Sequence, residues 1–209
     1  MSRLPRTAVL LSVLPVLLGA CATDPVQHTD QENRPFVVDV DVDTPQLRSL
    51  KEEAGVERCR PGEADAQPAD GMPDLVLSCL GGGPEVNLSS LDGPLVINLW
   101  ATWCGPCRDE LPYYQQLHEE AGDTVQVLGI DFQDTQPEAA LELIRETGVT
   151  FPQLTDPAGY VREPFGVRGL PGVVLVDKRG SITSIEFVAI GSYDQLRDLV
   201  EKHLGVTLS

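Results

Sequence analysis

Apolar positions along the chain follow two periods. Leu95–Trp100, "LVINLW", and Val125–Phe132, "VQVLGIDF", are short and nearly continuous apolar runs, as strands buried on both faces require. Between them Tyr114, Leu117, His118 and Ala121 fall on one stripe of a helix, and Pro137–Thr147 reads as a second helix, opened by its proline and closed by Gly148. Two strands joined through a helix imply a right-handed crossover in a parallel sheet. Gly172–Asp177 and Ile182–Ile190 are two further strands, and the turn Lys178-Arg179-Gly180 makes them a hairpin. The last helix begins at Ser192, with Gln195 completing a capping box and Leu196, Leu199 and Val200 as its core stripe. The order is β-α-β-α-β-β-α.

Ahead of this block the pattern differs. Residues 1–20 carry Arg3 and Arg6, an apolar run from Ala8 to Leu18, and small residues directly before Cys21. That is the form of a secretory signal, and the run is shorter than the roughly 20 apolar residues a membrane span needs. Leu18-Gly19-Ala20-Cys21 resembles the bacterial lipobox, which implies cleavage before a lipidated Cys21. Acyl chains contribute about 0.8 kcal/mol per buried methylene, enough for two or more to anchor the protein stably. Residues 21–35 then read as a polar tether.

Residues 36–71 form an N-terminal extension. In Phe36–Asp43, "FVVDVDVD", apolar and acidic residues alternate as in a half-exposed strand, and Thr44-Pro45 opens a short helix carrying Leu47, Leu50 and Ala54 to a stop at Gly55. Cys59 and Cys79 bracket a loop rich in Pro, Gly, Ala and Asp. In an exported chain such a pair reads as a disulfide, worth about 3 kcal/mol by loop-closure entropy. A four-sulfur zinc site with Cys104 and Cys107 is the weaker alternative, because Cys59 and Cys79 lack the close spacing of zinc ligands. No metal is expected.

Composition narrows the partners. The chain of 209 residues is 42% hydrophobic, enough for one well-buried domain, and its formal net charge is −17. Loss of Arg3 and Arg6 with the signal makes it more negative still, so nucleic acid and anionic headgroups are repelled.

The chemistry lies in "NLWATWCGPCRDELP", residues 98–112, between the first buried strand and its helix. Cys104 at the helix start faces unpaired amides and the positive end of the dipole, which favour a thiolate and lower its pKa from about 8.5. Cys107, one turn on, can resolve a mixed disulfide. Pro106 fixes the first turn at no cost in hydrogen bonds, Trp103 would cover the pair, and Pro112 should kink the helix.

A Cys104-Gly105-Pro106-Cys107 pair between strand and helix, with "GLPG" at residues 169–172, resembles the thioredoxin-like proteins, most closely the membrane-anchored TlpA/ResA group of bacterial disulfide reductases. The resemblance covers about Met72 to Leu208, within a domain read as residues 72–209. It implies an α/β thioredoxin-like fold with a central mixed sheet flanked by helices, and no cofactor beyond the Cys104–Cys107 redox pair. It also implies that Pro171 is cis and Leu170 pairs with an extended substrate chain. Where thioredoxin keeps a buried Asp, this chain has Asn98, and Glu110 matches instead the glutamate beside the active site of the TlpA/ResA group. A partly desolvated carboxylate there can take the proton of Cys107.

The Gly-Pro dipeptide is that of thioredoxin, whose potential of about −270 mV lies far below the −120 mV or so of strong oxidants, so a reductase is favoured. The expected protein is an extracytoplasmic, lipid-anchored monomer that reduces disulfides of exported proteins, apocytochrome c among them. A membrane donor of the CcdA/DsbD type would recharge it. A disulfide-forming oxidase, a peroxidase using Thr102, and a non-catalytic binding lipoprotein are the alternatives.

Overall fold

The structure, a computed structural model, describes residues 38–61 and 71–208. The signal, Cys21, the tether and residues 62–70 lie outside that range. Helix α1 (Pro45–Ala54) precedes strands β1 (Val76–Cys79), β2 (Val86–Asn87) and β3 (Leu95–Trp100). Helix α2 (Gly105–Ala121), β4 (Gln126–Phe132), α3 (Pro137–Thr147), β5 (Gln153–Asp156), β6 (Gly172–Val176), β7 (Ile182–Glu186) and α4 (Tyr193–Leu204) follow. The strands form one mixed sheet in the order β2-β1-β5-β4-β3-β6-β7. Strands β3, β4 and β5 are parallel, and the remaining pairs are antiparallel.

Side chains alternate between the faces of a strand. On one face Val96, Trp100, Val127, Val173 and Leu175 pack under α2, α3 and α4, against Leu111, Leu117, Ile144, Leu196 and Val200. On the other, Ile97, Leu99, Ile130, Phe132 and Val174 meet Val161, Phe165 and Val167 of the segment between β5 and β6. Two successive right-handed crossovers running the same way along the sheet put α2 and α3 on one side. Helix α1 joins that side: Thr44 caps it by accepting from the Leu47 N–H at 3.1 Å, and Leu47 is fully buried in the same core.

The structure departs from the sequence reading in five places. Residues 38–43 keep the expected alternation, with half-buried valines and exposed aspartates, but make no strand. Strand β1, beside which they lie, pairs with β2 through Val76 and Leu77 and with β5 through Ser78 and Cys79, and residues 38–43 add no ladder to it. Strand β5 was not expected because "QLTD" looks polar. All four residues are buried nonetheless, with Gln153 Oε1 accepting from the Trp100 indole at 2.9 Å and Asp156 accepting from the Tyr160 and Val161 amides. The two-residue β2 and four-residue β1 are likewise below what a period can reveal.

Strand β7 ends at Glu186 rather than Ile190, and the Ile190 N–H is bonded elsewhere, to Glu110. Ser192 does cap α4 by accepting from the Gln195 amide, but Gln195 returns its bond to Gly191 rather than to Ser192. Among the described residues no helix is long and apolar enough to cross a membrane.

Candidate active site

The site lies at the carboxyl end of β3, where the chain turns from the centre of the sheet into α2. Cys104 is the N-cap of α2 and accepts from the Cys107 amide at 3.3 Å. Gly105 and Pro106 open the helix, so the proline sits where its missing N–H is no loss. Cys104 and Cys107 are joined as a disulfide and are nearly or fully buried. When that bond is reduced, a Cys104 thiolate in this position is held by the unpaired amides of the first turn. The helix continues through Pro112.

Glu110 is fully buried one turn beyond Cys107, on the same side of α2. One carboxylate oxygen accepts from the Ile190 amide at 2.8 Å and the other has no partner among the described residues. Burial pushes its pKa up to about 7, against the lowering effect of the Ile190 bond. One turn further, Tyr114 is buried with an unpartnered hydroxyl, and burial together with the Glu110 charge raises its pKa well above the usual range. Asn98 on β3, also fully buried, leaves both its amide nitrogen and oxygen without partners among the described residues.

Trp103 is 57% exposed, so it is a surface residue rather than a core one, and its indole donates to the Gln133 carbonyl at 3.2 Å. Gln133 takes a left-handed φ of 51°, uncommon for a residue with a Cβ. Leu170–Pro171 is a cis bond directly before β6, with Leu170 half-buried and Pro171 buried. Gly172, the next residue, pairs with Leu99 on β3.

Two aspartates at the end of β4 were not singled out from the sequence. Asp134 accepts from the Thr102 amide at 2.8 Å, from the Thr102 hydroxyl, and from the Gln136 amide at 3.0 Å, tying the β4–α3 loop to the loop that delivers Cys104. Asp131, nearly fully buried, has one unpartnered carboxylate oxygen, and burial plus the Asp134 charge raises its pKa well above the ordinary range. The signal available was topological: both stand where parallel strands end, the edge at which open α/β sheets place their sites. Cys59 and Cys79 form a separate disulfide. It packs on the opposite face of the sheet from Cys104–Cys107, so the four sulfurs do not make one metal site.

Residues 68–185 match the model of the AhpC/TSA family. The chain belongs to that family. Among its relatives, the thiol-disulfide oxidoreductase ResA of Geobacillus kaustophilus is 34% identical over 137 residues, covering 63% of this chain and 73% of that protein. Thioredoxin-like protein YneN of Bacillus subtilis is 30% identical over 125 residues, covering 59% and 73%. The solved structure of MTB DsbF, in mixed oxidised and reduced forms, shares 29% identity with a TM-score of 0.55 and covers 62% of this chain and 94% of that one. With a disulfide at the head of α2 on this fold, the AhpC/TSA chain is a thiol–disulfide oxidoreductase with a thioredoxin-like architecture.

Proposed function

We propose that this oxidoreductase works as a reductase of disulfides in exported proteins, held at a membrane by a lipid on Cys21. The observation that carries the reading is a helix-capping Cys104 paired with Cys107, with a buried Glu110 of raised pKa one turn behind. The Cys104 thiolate attacks a substrate disulfide, forms a mixed disulfide and releases one substrate thiolate. Glu110 takes the proton of Cys107, whose thiolate then attacks Cys104 Sγ. The second substrate sulfur leaves as a thiolate, and the chain is left with the Cys104–Cys107 disulfide. Exposed Trp103 and the backbone of Leu170 before Pro171 would hold the substrate segment.

A dithiol donor of the CcdA/DsbD type would return two electrons. Apocytochrome c is one substrate that fits an exported reductase. Residues 1–20 would be removed, and residues 21–35 would tether the domain. Thr102, the residue a peroxidase would need at Cys104, has its hydroxyl committed to Asp134, which favours disulfide exchange over peroxide chemistry. The test is the equilibrium of the Cys104/Cys107 couple with glutathione. A potential near −250 mV or lower supports the reductase, whereas a value of about −120 mV assigns an oxidase instead.

A further inference from the structure

Lys51, in the last turn of α1, is only 7% exposed, an unusual place for an ammonium. Among the described residues its Nζ has two partners, the Gly82 carbonyl at 2.8 Å and the Sγ of Cys79 at 2.9 Å. The chain is shaped to enclose it. Gly81, Gly82 and Gly83 take φ values of 72°, 86° and 129°, and a Cβ on Gly81 would come within 2.9 Å of Lys51 Cβ. Asp43, the nearby acid, is bonded to Arg48.

An ammonium offers three hydrogens, and a disulfide sulfur is a poor acceptor for one of them. A thiolate in the same place would be a good one. The buried cation is therefore better satisfied when the disulfide is broken than when it is formed, the reverse of what a permanent staple requires.

Both cysteines are nearly fully buried, at 3% and 2% exposure, and they differ in what borders them. Cys59, with Arg60, His118, Leu95, Asp123 and Gln126, lines a cavity of about 510 Å³, within the usual range for small-molecule sites, and Cys79 is absent from that lining. The cavity opens beside the amino ends of β3 and β4, at the opposite end of these strands from Cys104.

We propose that Cys59–Cys79 is a second thiol-exchange centre, in which a small-molecule thiolate attacks Cys59 and Cys79 leaves as a thiolate paired with the Lys51 ammonium. The attacking sulfur's electron pair forms the new bond to Cys59, and the pair of the broken bond stays on Cys79. A second small thiolate then attacks the attached sulfur of the mixed disulfide. The small-molecule disulfide departs, and the Cys59 thiolate takes a proton from water. Two electrons pass from the two small thiols to the protein pair, and the covalent tie between the extension and β1 opens.

The experiment uses the chain with Cys21→Ser, Cys104→Ser and Cys107→Ser, so that only this pair responds, and glutathione as the probe. Thiols are trapped with acid and alkylated, and the fraction reduced is read by mass spectrometry. Replacing Lys51 by Met removes one charge-assisted bond to the leaving thiolate and should shift the equilibrium towards the disulfide by about tenfold or more. The transient glutathione adduct should sit on Cys59. An equilibrium moved less than twofold in Lys51→Met, an adduct on Cys79, or a pair that resists a large excess of glutathione would each overturn the proposal. The adduct is read on the protein that keeps Lys51, so that outcome decides even if Lys51→Met does not fold.

Discussion

The two disulfides join the same atoms in different electrical settings. Cys104–Cys107 spans one helical turn, and its stabilising positive potential comes from backbone amides at the start of α2. Cys59–Cys79 closes a separation of 20 residues, and its positive charge is a side chain, Lys51, brought in from another helix. The first pair has a buried carboxylate of raised pKa on its own helix, while the second faces the side-chain nitrogen of a lysine. Sequence separation decides how much each bond constrains the unfolded chain. The surrounding charge decides how readily each opens.

That contrast is broken most directly at Cys104. Cys104→Ser should reduce insulin-disulfide reduction by on the order of 1,000-fold or more, with the folded state unchanged by circular dichroism, because Cys107, the other sulfur at the head of α2, is fully buried and does not occupy the capping position. Cys107→Ser should instead accumulate the mixed disulfide. Removing the other pair, Cys59→Ala with Cys79→Ala, should lower stability by about 3 kcal/mol in urea titration while leaving insulin reduction within about twofold.

Glu110→Gln sharpens the proton side of the comparison. It should slow resolution of the mixed disulfide by about 10- to 100-fold, measured by single-turnover quenching, and remove a rise in rate through about pH 7. The same substitution has a stability signature. The folded-state pKa of about 7 lies above the ordinary 4.5, so the stability associated with neutral Glu110 is fully present below about pH 4.5 and is lost as pH rises through about 7. The loss should be on the order of 3 kcal/mol in the native chain and absent in Glu110→Gln. The smallest effect is expected at Trp103. Trp103→Ala should raise KM for protein disulfides several-fold and change stability by less than about 0.5 kcal/mol, since the ring is mostly in solvent.

The parts legible in the sequence were those written in local periods. Strands β3 and β4 and helices α2 and α3 announce themselves by unbroken apolar runs and by a 3.6-residue stripe, and the cysteine pair falls at their junction. The parts that were not legible depend on distant partners. Gln153 makes a buried strand from a polar tetrapeptide because Trp100, 53 residues earlier, donates to it. Residues 38–43 alternate like a strand yet join no ladder of the sheet. Asp134 looks like one acid among many until the fold brings it to Thr102, and Lys51 looks like a surface lysine until three glycines close over it.

By itself the sequence determined the order of the central elements, the placement of Cys104 at a helix start, and the pairing of Cys59 with Cys79, because short-range periodicity, turn chemistry and cysteine count are properties of neighbouring residues. Only the tertiary structure decided the pKa of Glu110, the exposure of Trp103 and the contact between Lys51 and Cys79. Burial and charge at a point are summed over everything that surrounds it, and most of what surrounds these groups comes from elsewhere in the chain.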